Sequence, residues 1–293
     1  RPWPRPRERP ELPSLKRLAW YCSLLLVNTL VTFLAMNLDR LLLGRILSME
    51  ALGLYNIACA IALSLELLCI QIVQRSLFPL ISRAQNDPVA AEGLFQKYAL
   101  IFTGGAAIVQ TALALGAADV VGVLYPERYA AMSVAVTALA FRGILRVQSC
   151  VQSGLLLGMR RTGLETTAMF AGLVTLAACF AGEGYLAAYY VDGLGRLSWL
   201  VCFAALPVTV LESWFLLRKL RFSLRAVLGP YALALVLVAT QSLLYFAFVR
   251  DLETVWLRLP GQGVLAALLC GAGAAWVLRR EPREPAGALG GVV

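Results

Sequence analysis

The chain has 293 residues, 60% of them apolar, with 26 basic and 17 acidic side chains and no histidine; its mean hydropathy is +0.75. A soluble domain is nearer half apolar, so the excess points to a polytopic membrane protein, and the lack of histidine excludes Ser-His-Asp and Cys-His catalysis. The net charge of +9 is read as cytoplasmic charge that sets topology, because nucleic-acid binding would need a soluble basic face and none is visible.

In chain order, residues 1–17 are rich in Pro and Arg and have no apolar core, unlike a signal peptide. Residues 1–18 are expected to be a cytoplasmic linker joined to preceding sequence, the chain being a C-terminal piece of a longer transporter. An apolar run over residues 20–38 ends in Asp39 and Arg40, a short polar hinge follows, and a second run starts at Ala51. This predicts two membrane helices joined by a tight turn, with charge where hydrocarbon gives way to water. Eight spans are predicted in all, over residues 19–38, 52–72, 99–118, 131–157, 163–181, 186–211, 226–249 and 263–278, each long enough to cross about 30 Å of hydrocarbon. Between the second and third, residues 74–98 read as amphipathic, kinked by Pro79 because proline removes an amide donor. Asn86-Asp87-Pro88 then reads as a turn and helix start. Gly154 and Gly158 would allow close helix packing. The seven cysteines are scattered without metal-ligand spacing and mostly sit in apolar runs as small hydrophobes. No phosphate-cradling loop ending in Lys-Ser or Lys-Thr occurs, so the chain holds no ATP motor, and no cofactor is expected. The predicted fold class is all-α, a polytopic membrane helix bundle.

The basic residues test the span count. With a cytoplasmic amino terminus, 18 of the 26 fall in inside segments, five in outside loops and three within spans. That distribution follows the positive-inside rule, and an error of one span would scramble it. Eight helices with both termini inside is the expectation.

Ionisable groups within spans are costly and usually face a protein interior or a hydrated cavity. Arg142 and Arg146 lie four apart in the fourth span and share a helix face. Two guanidinium groups there repel each other unless an anion, a carboxylate or water intervenes, and their planar forks suit phosphate oxygens. The functional reading is an anion-binding cavity wall; the structural one is pairing with carboxylates on neighbouring helices. Asp192 and Arg196 repeat the spacing in the sixth span, as an internal ion pair or a cavity pair, beside Gly193, Gly195 and the potential sugar contacts Tyr189 and Tyr190. Glu66, mid-way along the second span, is a coupling candidate or an arginine partner. Asp39, Arg40 and Glu165 are placed near span ends, with Asp39 and Arg40 as candidates for gating the outer mouth.

The stretch NLDRLLLGRILSMEALGLYNIA, residues 37–58, resembles the start of the second half of bacterial oligosaccharide and polysaccharide flippases, of the superfamily that includes lipid II flippases and multidrug exporters. The Phe78-Pro79 element and the turn Gly154-Leu-Leu-Leu-Gly-Met-Arg-Arg-Thr-Gly163 extend the resemblance. It implies a second transporter lobe over residues 19–225, then two additional helices and a cytoplasmic tail over 226–293. The implied substrate is an undecaprenyl-pyrophosphate-linked oligosaccharide, moved across the bacterial inner membrane by alternating access without catalysis. Its head would sit in a cationic cavity and its tail in the bilayer. Membrane lipids, the first lobe and polysaccharide-assembly proteins are the implied partners. A drug or cation antiporter, a membrane enzyme with a large outer loop, and a non-transporting scaffold are the competing readings. A scaffold would cap each buried arginine with an acid.

Overall fold

The computed structural model describes residues 12–186, 193–250, 252 and 255–279. The described residues are almost all helical, with no strand among them. The helices are α1 (Leu12–Ile46), α2 (Met49–Ala62), α3 (Ser64–Arg83), α4 (Pro88–Leu115), α5 (Ala117–Leu124), α6 (Met132–Gly158), α7 (Thr162–Leu186), α8 (Gly193–Phe203), α9 (Leu206–Arg218), α10 (Leu224–Leu244) and α11 (Val255–Arg279). Their starts follow local chemistry. Ser48 accepts the Ala51 amide to cap α2, Asp87 accepts the Val89 and Ala90 amides beside Pro88 to open α4, and Ser223 caps α10, each satisfying donors that a helix start leaves unpaired.

The chain is an all-α polytopic membrane bundle. Among the described residues six helices are long and apolar enough to cross a membrane, and a seventh span is the α2–α3 pair, bent by 44°. These seven correspond to the first seven predicted spans. The eighth predicted span falls in α11, whose apolar described part is the shorter stretch Leu257–Leu269. Pro79 lies inside α3, and the chain turns after Arg83 into the Asp87–Pro88 start, as the sequence predicts.

Two predicted boundaries are corrected. The first helix does not stop at the Asp39–Arg40 pair but runs through Ile46. Asp39 is tolerated inside it because its carboxylate turns into the bundle and is buried against partners. The sixth span likewise does not end before Glu212: the span covers Gly193–Arg218, with a break between α8 and α9. Glu212 is buried there among hydroxyl donors.

Helix α6 is the axis, packing against α2, α3, α4, α8 and α9. At its start, Met132, Ala135, Val136 and Leu139 join a buried apolar cluster with Leu43 of α1 and Tyr55 and Ala58 of α2. At its end, Val151, Leu155 and Leu156 join a second cluster with Leu77 and Ile81 of α3 and Phe95 of α4. The middle of the same helix carries buried Arg142, Gln148, Ser149 and Gln152. The polar centre is therefore held between two apolar clusters, halfway along a membrane helix. The expected glycine packing is present: a Cβ on Gly158 would stand 2.7 Å from Ile81 Cγ2, and one on Gly154 3.1 Å from Val73 Cγ1. Helices α3 and α6 therefore meet along the surface that those two glycines leave open.

Candidate functional site

Residues 142, 146, 149 and 153 recur at helical spacing, so α6 presents Arg142, Arg146, Ser149 and Ser153 as one polar stripe. Arg142 Nη1 stands 3.5 Å from Asp39 Oδ2. Asp39 Oδ2 also accepts the Tyr55 hydroxyl at 2.9 Å, and its Oδ1 accepts the Arg40 amide at 2.8 Å. Arg146 Nε donates to Glu66 Oε1 at 3.1 Å, while Glu66 Oε2 is buried without a hydrogen-bond partner. Glu66 sits in the first turn of α3, just past the α2–α3 break, where Gln110 Nε2 donates to the Ala62 carbonyl at 3.0 Å.

Of the two readings of the arginine pair, pairing with carboxylates on neighbouring helices is realised. Each guanidinium is paired with a carboxylate from another helix. Burial of an unpaired charge costs several kcal/mol in a medium of low polarity, and these acids offset part of that cost. Pairing does not seal the arginines away. Both line a single small pocket with Ala35 of α1, Gly172 of α7, Val201 of α8 and Val208 of α9, with about 30 Å³ of water-accessible space. Met169, Leu173 and Leu176 of α7 and Ala204 and Ala205 at the α8–α9 break complete its wall. The lining is otherwise apolar. It suits a phosphate-sized anion or water and has no room for an oligosaccharide.

A second polar group lies further along the stripe. Ser149 Oγ donates to Glu212 Oε2 at 2.6 Å and Ser153 Oγ to Glu212 Oε1 at 2.9 Å. Beside it, Gln152 Nε2 donates to Ser213 Oγ at 2.8 Å, and Ser213 Oγ meets the Tyr231 hydroxyl at 2.9 Å. Thr103 bonds Gln148 from α4. On α7, Glu165 is only 2% exposed. It stands in the first turn of α7, near the span end as the sequence predicts, but turned into the bundle, and nearby Thr166 donates to Asn28 Oδ1 at 2.8 Å.

Of the residues singled out in the sequence, the structure brings Arg142 and Arg146 to one pocket and Asp39 and Glu66 behind them as partners. Arg40 is exposed. Arg196 stands in the first turn of α8 and is not among the residues lining the pocket. Tyr189, Tyr190 and Asp192 lie outside the described residues. Sequence reasoning missed Glu212, Ser149, Ser153, Gln152 and Tyr231. The period of the α6 stripe was the available signal for the two serines.

Residues 3–134 match a family model described as polysaccharide biosynthesis protein. The teichuronic acid biosynthesis protein TuaB of Bacillus subtilis (strain 168) is 25% identical over 241 residues, 80% of this chain and 48% of that protein. The amylovoran biosynthesis protein AmsL of Erwinia amylovora is 26% identical over 127 residues, 43% of this chain and 33% of that protein. The chain thus spans about half or less of the length of these curated relatives. No solved structure matches it. These likenesses bear out the resemblance carried by residues 37–58 at the level of polysaccharide biosynthesis.

Proposed function

We propose that this chain, a protein of the polysaccharide-flippase type, carries the pyrophosphate-binding half of a transporter that moves a lipid-linked oligosaccharide across the bacterial inner membrane. The observation that carries the reading is the pocket shared by Arg142 and Arg146 midway along a membrane helix. Each guanidinium uses one edge on its carboxylate and retains further N–H donors. A phosphoryl group entering the pocket would find two forks already held in place, so little side-chain ordering remains to be spent on binding. The small pocket would take the charged junction between lipid and sugar, with the glycan lying beyond its mouth and the prenyl tail in lipid.

Transport proceeds here without catalysis. The interrupted α2–α3 and α8–α9 spans next to the polar centre suit a rocking motion, since discontinuous helices commonly build transporter sites. A complementary lobe and polysaccharide-assembly proteins complete the machine, and both termini of this chain are cytoplasmic. A drug or cation antiporter would favour a pocket lined by acids; here arginines supply the lining charges.

One observation favours a second reading. Each arginine is capped by an acid, as in a scaffold that transports nothing. Paired neutralisation separates the two. Arg146→Gln alone should abolish surface-glycan export in a strain that depends on this protein. The double variant Glu66→Gln with Arg146→Gln restores a neutral, hydrogen-bonded pair. Under the flippase reading it restores protein abundance in the membrane while export stays at least tenfold down. Recovery of export by the double variant would favour the scaffold.

A further inference from the structure

Among the described residues the backbone turns left-handed at two positions, and both are arginines: Arg160 and Arg221, each at φ 57°. Each follows the end of a helix, α6 and α9 respectively. A side chain is crowded by its own backbone in that conformation, and glycine fills such helix ends most readily. The turns are otherwise well bonded. The Arg161 amide donates to the Leu156 carbonyl at 2.8 Å, and the Phe222 amide to the Leu216 carbonyl at 3.1 Å.

The two turns emerge at the same end of the bundle. Helices α6 and α9 pack together and are pinned in register by Gln152, whose Nε2 donates to Ser213 Oγ at 2.8 Å. Arg160 and Arg221 each lie eight positions further along from those two residues. Leu155 and Leu156 of α6 share one buried cluster with Leu216 and Phe222, which closes the bundle beneath both turns. Arg161, Arg218, Lys219 and Arg225 belong to the same two turns. All six cations are exposed, and none has an ion-pair partner among the described residues. The neighbouring acids are engaged or turned inward: Glu92 accepts the Ser223 amide at 3.0 Å, and Glu165 and Glu212 are buried. Next to the cations the surface is apolar. Val210 and Trp214 of α9 are exposed and lead at four-residue spacing to Arg218, and Leu224 and Leu228, exposed at the start of α10, flank Arg225. Trp214 thus stands one turn from the cations, where aromatic rings meet the headgroup level.

Positive charge on one face is enough to orient a membrane protein, but that rule is indifferent to the backbone beneath the charge. It does not call for arginine at two places where glycine would relieve strain. Unpaired guanidinium forks above an exposed apolar slope fit a phosphodiester headgroup, with the forks on phosphate oxygens and the acyl chains on the slope. We propose that the α6–α7 and α9–α10 turns together bind an anionic phospholipid of the surrounding leaflet, phosphatidylglycerol or its double form cardiolipin, with Arg160 and Arg221 at the centre of the site. Clusters of about four to eight basic residues beside membrane helices attract such lipids. The ligand belongs to the bilayer itself, so the site stands whatever the protein transports. A lipid held by both turns would clamp α6 to α9, the helices that bring Arg146 and Val208 to the pocket.

The test compares lipid retention with stability. The full chain is purified in a neutral detergent with equal phosphatidylglycerol and phosphatidylcholine, and native mass spectrometry counts the lipids that stay bound. Thermal unfolding is followed in nanodiscs of phosphatidylcholine with and without phosphatidylglycerol. The unsubstituted chain should retain phosphatidylglycerol in preference, and its Tm should rise with that lipid. The double variant Arg160→Gly with Arg221→Gly should unfold no earlier than the unsubstituted chain in phosphatidylcholine, because backbone strain is relieved. It should nevertheless retain at least fivefold less phosphatidylglycerol and lose most of the Tm rise. Arg161→Gln with Arg218→Gln, which leaves both strained positions alone, should weaken retention in the same direction. Equal retention by the unsubstituted chain and both variants overturns the site. So does an earlier unfolding of the glycine variant in phosphatidylcholine, which would make the arginines structural. An equal Tm rise with inorganic pyrophosphate in phosphatidylcholine nanodiscs would assign the cations to a free anion and overturn the lipid.

Discussion

The residue-scale decision in this protein is how to hold arginines inside a membrane. Arg142 is paid for by Asp39, whose second contact, the Tyr55 hydroxyl, fixes the carboxylate from a third helix. Removing one partner of a buried pair leaves the other charge without compensation, at about 3–5 kcal/mol. Asp39→Asn should therefore lower the thermal unfolding temperature strongly, Tyr55→Phe should cost only about 1 kcal/mol, and Asp39→Asn combined with Arg142→Gln should recover most of the loss. A double-mutant cycle by thermal unfolding in detergent checks this; additive losses would mean that the 3.5 Å contact carries no coupling. The arginines were legible because a charge in an apolar run stands out. Glu66 was legible as a possible arginine partner and pairs with Arg146; Asp39 was read as a mouth residue instead, because it lies 103 positions before Arg142. Glu212 was hidden by the same cue. A lone acid after an apolar run reads as the end of a span, and only the hydroxyls of α6 make it an interior residue.

At the scale of elements, the turns and caps were readable because they are local: Asp87 and Pro88 begin α4 where the sequence puts a helix start. Breaks within spans were not. The α2–α3 bend falls inside one predicted span, marked only by Ser64 and Glu66, and the freed Ala62 carbonyl is satisfied by Gln110 from a helix further along the chain. Close packing was half readable, since Gly154 and Gly158 mark a small-residue face without saying what meets it. The partner is α3, with Ile81 in the space that a larger residue at 158 would claim. Gly158→Leu should push α3 and α6 apart and cost about 1–3 kcal/mol through overpacking. Gly163→Leu, with open space at its Cβ position, should be nearly neutral. Thermal unfolding of both variants checks the contrast, and equal losses would mean that the α3–α6 contact is slack. Packing at Gly158 matters beyond stability, because α3 carries Glu66 and α6 carries its arginine.

For the whole molecule, hydropathy shows that the chain crosses the membrane repeatedly, but orientation depends on summed charge. With the α2–α3 pair counted once, the described helices give seven spans, and α11 adds an eighth if its full length crosses. Only an even count returns the carboxyl end to the side where the amino end began. Arg160 and Arg161 follow α6, and Arg218, Lys219, Arg221 and Arg225 cluster at the α9–α10 turn; two spans, α7 and the α8–α9 pair, separate these groups, so they share a face. Arg128 lies at the opposite end of α6. Because positive charge tends to accumulate on the cytoplasmic side, the two basic groups are predicted to lie inside and Arg128 outside. In a background with the seven native cysteines replaced, Arg128→Cys in intact cells should react with a membrane-impermeant maleimide. Arg160→Cys and Lys219→Cys should react only after permeabilisation. Reactivity of 160 and 219 on opposite faces would break the count of crossings between them. Reversal of all three would leave the helix count intact and turn the arginine pocket to face the other way.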